Sequence, residues 1–138
     1  YNVRPIEMEA AIGSKQLKKL DGFLANRKLN GEYFIKKFSG RSDLIIQKPL
    51  GESSFFGFSI ILKEQGKRDS IVKKLRDNGV ECRPIVAGNF TRNKVIKYFD
   101  YTVSGTLDAA DYLHDNGFFI GNHHYDCREE LDSVFQLI

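Results

Sequence analysis

The 138 residues contain no glycine-rich phosphate loop, no CxxC pair and no HExxH helix. The commonest signatures of nucleotide-triphosphate, redox and zinc-hydrolase chemistry are therefore lacking. Cysteine is scarce: Cys82 and Cys127 are the only two, too few for the disulfide framework of a small secreted scaffold. The expectation is free thiols in a reducing cytoplasm. No apolar run approaches the roughly 20 residues that span a bilayer, and no signal peptide is visible, so no membrane partner is expected. Charge of one sign is also in short supply. Lys and Arg number 21 against 18 Asp and Glu, a net charge of +3, and the signs are interleaved along helical stretches. That leaves no case for a nucleic-acid partner. Internal repeats and low-complexity segments are missing too. The first residue is Tyr1 rather than Met, which reads as a piece cut from something longer.

What is present fits one compact domain: 41% of residues are hydrophobic and 28% charged, an ordinary globular balance. Ile6, Ala10, Gly13, Leu17, Leu20 and Leu24 recur at spacings of four and three, one stripe of a helix that Pro5 opens. Asp21-Gly22 is expected to bend or break it. A second apolar set, Phe23, Leu24, Phe34, Ile35 and Phe38, carries helix to Ser39-Gly40, a stop signal. Strands are expected over residues 43–48 and 55–63, with a loop at 49–54 between them. Asp69 is expected to cap a helix over 70–78 that Gly79 ends. Residues 80–86 read as a strand whose alternation puts Glu81 and Arg83 on one face and Val80 and Cys82 on the other. Thr91 is expected to cap a short helix through Tyr98. Asp108 begins another, ending at Asn116-Gly117; residues 118–120 form a short strand, residues 121–124 turn the chain, and a helix over 128–138 closes it. The order predicts an α+β fold, with a long N-terminal helix followed by a small antiparallel sheet covered by helices. It divides into a helical segment, 1–40, and a body, 41–138. The long helix has little of its own domain to bury against, so its stripe is expected to meet another domain or subunit.

Four positions have chemistry worth following. Glu81 and Arg83, followed by Pro84, can form a site for hydroxyls or phosphate, since Arg supplies a planar fork of donors and Glu accepts from sugar hydroxyls. They can equally be a surface ion pair of little worth. Asn2 and Arg4 flank the start of the long helix, where free N–H groups and the helix dipole suit an anion; an ordinary capping segment reads the same way. His123, His124 and Cys127 come nearest to a metal cluster, but adjacent side chains point apart, so no metal is expected. His114 reads as a solvated surface histidine.

The opening, YNVRPIEMEAAIG over residues 1–13, resembles a signature of the DegT/DnrJ/StrS sugar aminotransferase family. Gln16-Leu17, Leu20-Asp21 and Arg27 continue the family's pattern, as does Gly79 to Pro84 (GVECRP). These are fold-type-I enzymes that use pyridoxal or pyridoxamine 5'-phosphate, and the resemblance implies the C-terminal small domain of that fold. The loops RPIVAGNFTRN (83–93) and GFFIGNHH (117–124) resemble the 3-dehydratase branch of the family. That branch implies removal of the 3-hydroxyl from a GDP- or CDP-linked 4-keto sugar, of the kind used in bacterial O-antigen, with the cofactor as electron sink. A homodimer is implied, with Asn2 and Arg4 at the neighbouring subunit's cofactor, Glu81 and Arg83 against the nucleotide-sugar, and His123 and His124 in an active-site loop. The catalytic base and the groups that hold the cofactor ring are implied to lie upstream, on a large domain, so the chain alone is expected to be inactive. A sugar aminotransferase of the same family and a non-catalytic interaction module are the competing readings.

Overall fold

The computed structural model describes residues 4–138. Helix α1 spans Glu7–Leu17 and α2 spans Leu20–Phe38. The Glu9 carboxylate reaches back to accept from the Ile6 N–H, and acidic Glu7 and Glu9 in the first turn suit the helix dipole. The break falls at Lys18-Lys19, not at Asp21-Gly22. Lys15, Lys18 and Lys19 bring like charges together at i, i+3 and i+4. Asp21 instead lies in the first turn of α2, where a carboxylate stabilises a helix start, and Gly22 is helical. Lys19 N–H bonds Gln16 O at 2.9 Å, tightening the last turn of α1.

Four strands follow: β1 (Leu44–Ile46), β2 (Gly57–Leu62), β3 (Cys82–Arg83) and β4 (Gly117–Gly121), with α3 (Arg68–Asp77), α4 (Asp108–Asn116) and α5 (Arg128–Leu137) between and after them. The sheet order is β1-β2-β4-β3 and every pairing is antiparallel, with Ile46 opposite Ile60, Ile60 opposite Phe118 and Cys82 opposite Ile120. Alternation selects the buried face: Phe58, Ile60 and Leu62 on β2, Phe118 and Ile120 on β4, Cys82 on β3. Phe34 and Phe38 of α2, Val72 and Leu75 of α3, and Leu131 and Val134 of α5 cover it. The Phe34 ring stacks on Phe38 and on Phe58, each at 4.6 Å between centroids. The predicted α+β architecture, with a small antiparallel sheet under helices, is what the chain forms.

Several boundaries differ for local reasons. β2 starts at Gly57 because Phe55 has a left-handed backbone (φ 49), which no strand accommodates. β3 is two residues, not seven. Val80 N–H is bonded to Leu75 O at the end of α3, and beyond Arg83 the chain meets Pro84, which has no N–H, and then Val86 at φ 52. α3 begins at Arg68, so Asp69 sits inside its first turn rather than capping it. Thr91 is likewise no cap. The Asn89 side chain accepts from both the Thr91 N–H and its hydroxyl, and the chain makes two short 3-10 turns, Phe90–Arg92 and Lys94–Tyr98, in place of an α-helix. His114 is half-buried, not solvated: its Nδ1 accepts from the Asn89 N–H at 3.1 Å. Gly88 makes room for it, since a Cβ there would lie 2.4 Å from that nitrogen.

Candidate substrate groove

β3 and the loop after β4 border a groove of about 470 Å³. Glu81 and Arg83 line it together with Gly121 to His123, Tyr125, Arg27, Phe56 and Phe119. The strand alternation that buries Cys82 turns Arg83 outward, and Arg83 donates through Nε and Nη2 to Glu81 Oε1 at 2.8 and 2.6 Å. Both side chains are well exposed, at 66% and 75%. Arg27 and Arg83 face Glu81 and Glu130 around the groove, so its formal charges balance. It offers donors and acceptors rather than a one-signed field.

The two histidines part company. His123 lines the groove with its ring stacked on Tyr125 at 4.7 Å, whereas the His124 ring packs on Phe23 at 4.4 Å, outside the lining. Arg4 is exposed ahead of α1 and also lies outside it; Asn2 falls outside the described residues. The structure thus gathers Glu81, Arg83 and His123 in one place. Cys127 forms part of the wall, and burial pushes its thiol up, which keeps it protonated and a poor nucleophile at neutral pH. Among the described residues no lysine lines the groove.

Three residues that carried no expected role hold the walls in place. Asn30, 1% exposed, gives its amide hydrogens to Tyr125 O at 2.7 Å, Asn122 Oδ1 at 3.0 Å and, more weakly, His123 O at 3.3 Å. Its carbonyl accepts from the Cys127 N–H at 3.0 Å. Arg27 and Asn122 complete the cluster. A signal exists for the two on α2: 27, 30, 31, 34 and 38 form one helical stripe, and polar residues on a stripe that ends in two buried phenylalanines are hydrogen-bonded inside.

Residues 1–138 match the DegT/DnrJ/EryC1/StrS aminotransferase family. The chain belongs to that family. It is 49% identical to a GDP-4-keto-6-deoxy-D-mannose 3-dehydratase of Escherichia coli and 48% identical to one of Yersinia pseudotuberculosis, over 100% of this chain and 36% of each relative. The solved Escherichia coli GDP-4-keto-6-deoxy-D-mannose-3-dehydratase with bound hydrated PLP superposes with a TM-score of 0.91 at 49% identity, covering 99% of this chain and 36% of that one. The fold is that of a fold-type-I PLP-enzyme domain, and the chain spans about a third of the length of the relatives it matches. Among the described residues no helix is long and apolar enough to cross a membrane.

Proposed function

We propose that this DegT-family chain is the small-domain part of a PLP/PMP-dependent 3-dehydratase acting on a GDP-linked 4-keto-6-deoxy sugar. The observation that carries the reading is near-half identity, across the whole chain, to two relatives whose names state that reaction. The groove supports it. Arg83 offers a planar fork to phosphate or hydroxyl oxygens, Glu81 accepts from hydroxyls, and His123 and Tyr125 present a stacked aromatic wall.

Pyridoxamine phosphate, when bound, supplies the electron sink that lets a hydroxyl depart next to a ketone. Toward that cofactor, the sequence of this chain offers the amide of Asn2 and the guanidinium of Arg4, donors suited to a phosphate. In a homodimer, Asn2 would bond the cofactor phosphate of a neighbouring subunit, and Arg4 would lie near the same cofactor or substrate. By likeness to the family, the base and the ring contacts would come from elsewhere in the protein.

The test uses the full-length protein containing this chain, loaded with pyridoxamine phosphate and given GDP-4-keto-6-deoxy-D-mannose. Release of a 3-deoxy keto sugar, detected by mass spectrometry, is the expected result. A 4-amino sugar formed in the presence of an amino donor would make it an aminotransferase. Turnover by the 138-residue chain alone would overturn the division of labour.

A further inference from the structure

Arg27 and Asn122 bond each other reciprocally: Arg27 Nη1 donates to Asn122 O at 3.0 Å, and Asn122 Nδ2 donates to Arg27 O at 3.1 Å. Both then converge on a third residue. Arg27 Nη2 and Asn122 Nδ2 each donate to Phe55 O, the latter at 3.0 Å, while Arg27 Nε donates to Ser54 O at 3.0 Å. The guanidinium is thus bonded to three backbone carbonyls, and no carboxylate approaches within ion-pair distance among the described residues. This arrangement is built to fix backbone rather than to balance charge.

What it fixes is a strained residue. Phe55 has a left-handed backbone that a bulky side chain rarely adopts, and such strain persists only where its surroundings over-determine it. Two donors hold its carbonyl. Its ring fills the space left by Gly31, where a Cβ would come within 2.2 Å of it. The consequence is that the next residue, Phe56, points out of the fold at 84% exposure and lines the groove beside Phe119, 5.9 Å away between ring centroids. From Asn122 the same cluster continues into His123 and Tyr125, the other aromatic wall.

We propose that Arg27 and Asn122 are positioning residues that clamp Phe55 and thereby set two aromatic parts of the groove lining, Phe56 and the His123–Tyr125 stack. The link to substrate rests on the proposed function; the clamp itself rests on the geometry. The two walls lie 67 residues apart in sequence, so a clamp predicts that they loosen together, whereas an ordinary buried polar residue predicts local loss or none.

The experiment is Asn122→Ala in the full-length enzyme, with Asn122→Ser as the milder variant should the alanine protein fail to fold. Hydrogen exchange is expected to rise roughly tenfold or more in both 53–57 and 121–127, with β1 and α3 unchanged. KM for the GDP-linked keto sugar is expected to rise about tenfold with kcat within about twofold, and cofactor absorbance should not change. Faster exchange throughout the domain, or in 121–127 alone, would overturn the clamp. Freed walls with an unaltered KM in an enzyme that does turn over this sugar would overturn the positioning role. Freed walls in an enzyme with no activity on the sugar would retire the functional reading and leave the clamp standing.

Discussion

α1 and the first turns of α2 share one predicted stripe and the rest of α2 carries a second apolar set, yet the two helices meet different fates. α1 buries nothing: Met8 and Ile12 are exposed at 69% and 59%. α2 buries Asn30, Gly31, Phe34 and Phe38 under the sheet. An apolar period in a sequence says that a helix has a face; only the fold says whether that face is covered. The largest effect expected from this contrast is in stability. Phe34→Ala removes a ring, 2% exposed, that stacks on two others, and should cost about 3–5 kcal/mol. Ile12→Ala should cost less than about 0.5 kcal/mol. Urea denaturation of the 138-residue chain measures both. Equal costs would mean that α1 is packed after all, and the contrast would be lost.

The same division explains how much could be read in advance. The presence of helix near α2, α3, α4 and α5 and the burial of Phe58, Ile60, Leu62, Phe118 and Ile120 follow from the sequence pattern, because a buried face imposes its spacing on the chain. The shared placement of Glu81, Arg83 and His123 was only partly legible: alternation predicts the outward turn of Glu81 and Arg83, but nothing local in the sequence brings residue 123 beside them. Their meeting depends on β4 pairing with β3, a tertiary event. The clamp was missed for a related reason. Phe55 reads as a strand residue from its type, and its left-handed backbone is imposed by Arg27 and Asn122, 28 and 67 positions away. Asn89 displaced Thr91 as a cap because its side chain reaches two donors of the following turn at once.

A second contrast sharpens the functional reading. Glu81–Arg83 and Asp126–Arg128 are both acid–arginine pairs two residues apart, at 2.6 and 2.5 Å, and all four side chains are more than half exposed. Only the first borders the groove. If exposure there awaits a ligand, Arg83→Ala in the full-length enzyme should lower kcat/KM by about tenfold to a hundredfold, the loss of a charge-assisted hydrogen bond. Arg83→Lys should recover part of it, since an ammonium lacks the planar fork. Arg128→Ala should leave kcat/KM within about twofold, as for a surface pair outside the groove. Both variants should melt close to the parent. Matching kinetic losses would erase the distinction between the pairs, and no loss in either would reduce Glu81–Arg83 to a surface pair.

The smallest expected effect belongs to the pair outside the groove, and it is a pH effect. Arg128 donates to the Asp126 carboxylate through Nε and Nη2, and the Arg128 backbone N–H adds a third donor at 3.1 Å. These hydrogen bonds hold the Asp126 carboxyl down at about 2. A carboxylate whose pKa is lower in the folded chain than in the unfolded one favours the folded state above its ordinary value. That contribution fades as pH falls from about 4, the unperturbed aspartate range, through about 2. Because both side chains are solvated and the pair is screened by salt, the contribution is slight. NMR titration of the Asp126 carboxyl should give a midpoint well below the ordinary range, moving up toward it in Arg128→Ala. Asp126→Asn should be slightly less stable than the parent at pH 5, and the difference should close as pH approaches 2. An ordinary midpoint in the parent would mean that the pair is not held in solution. Its likeness to Glu81–Arg83 would then end at geometry, and the groove pair would need another control.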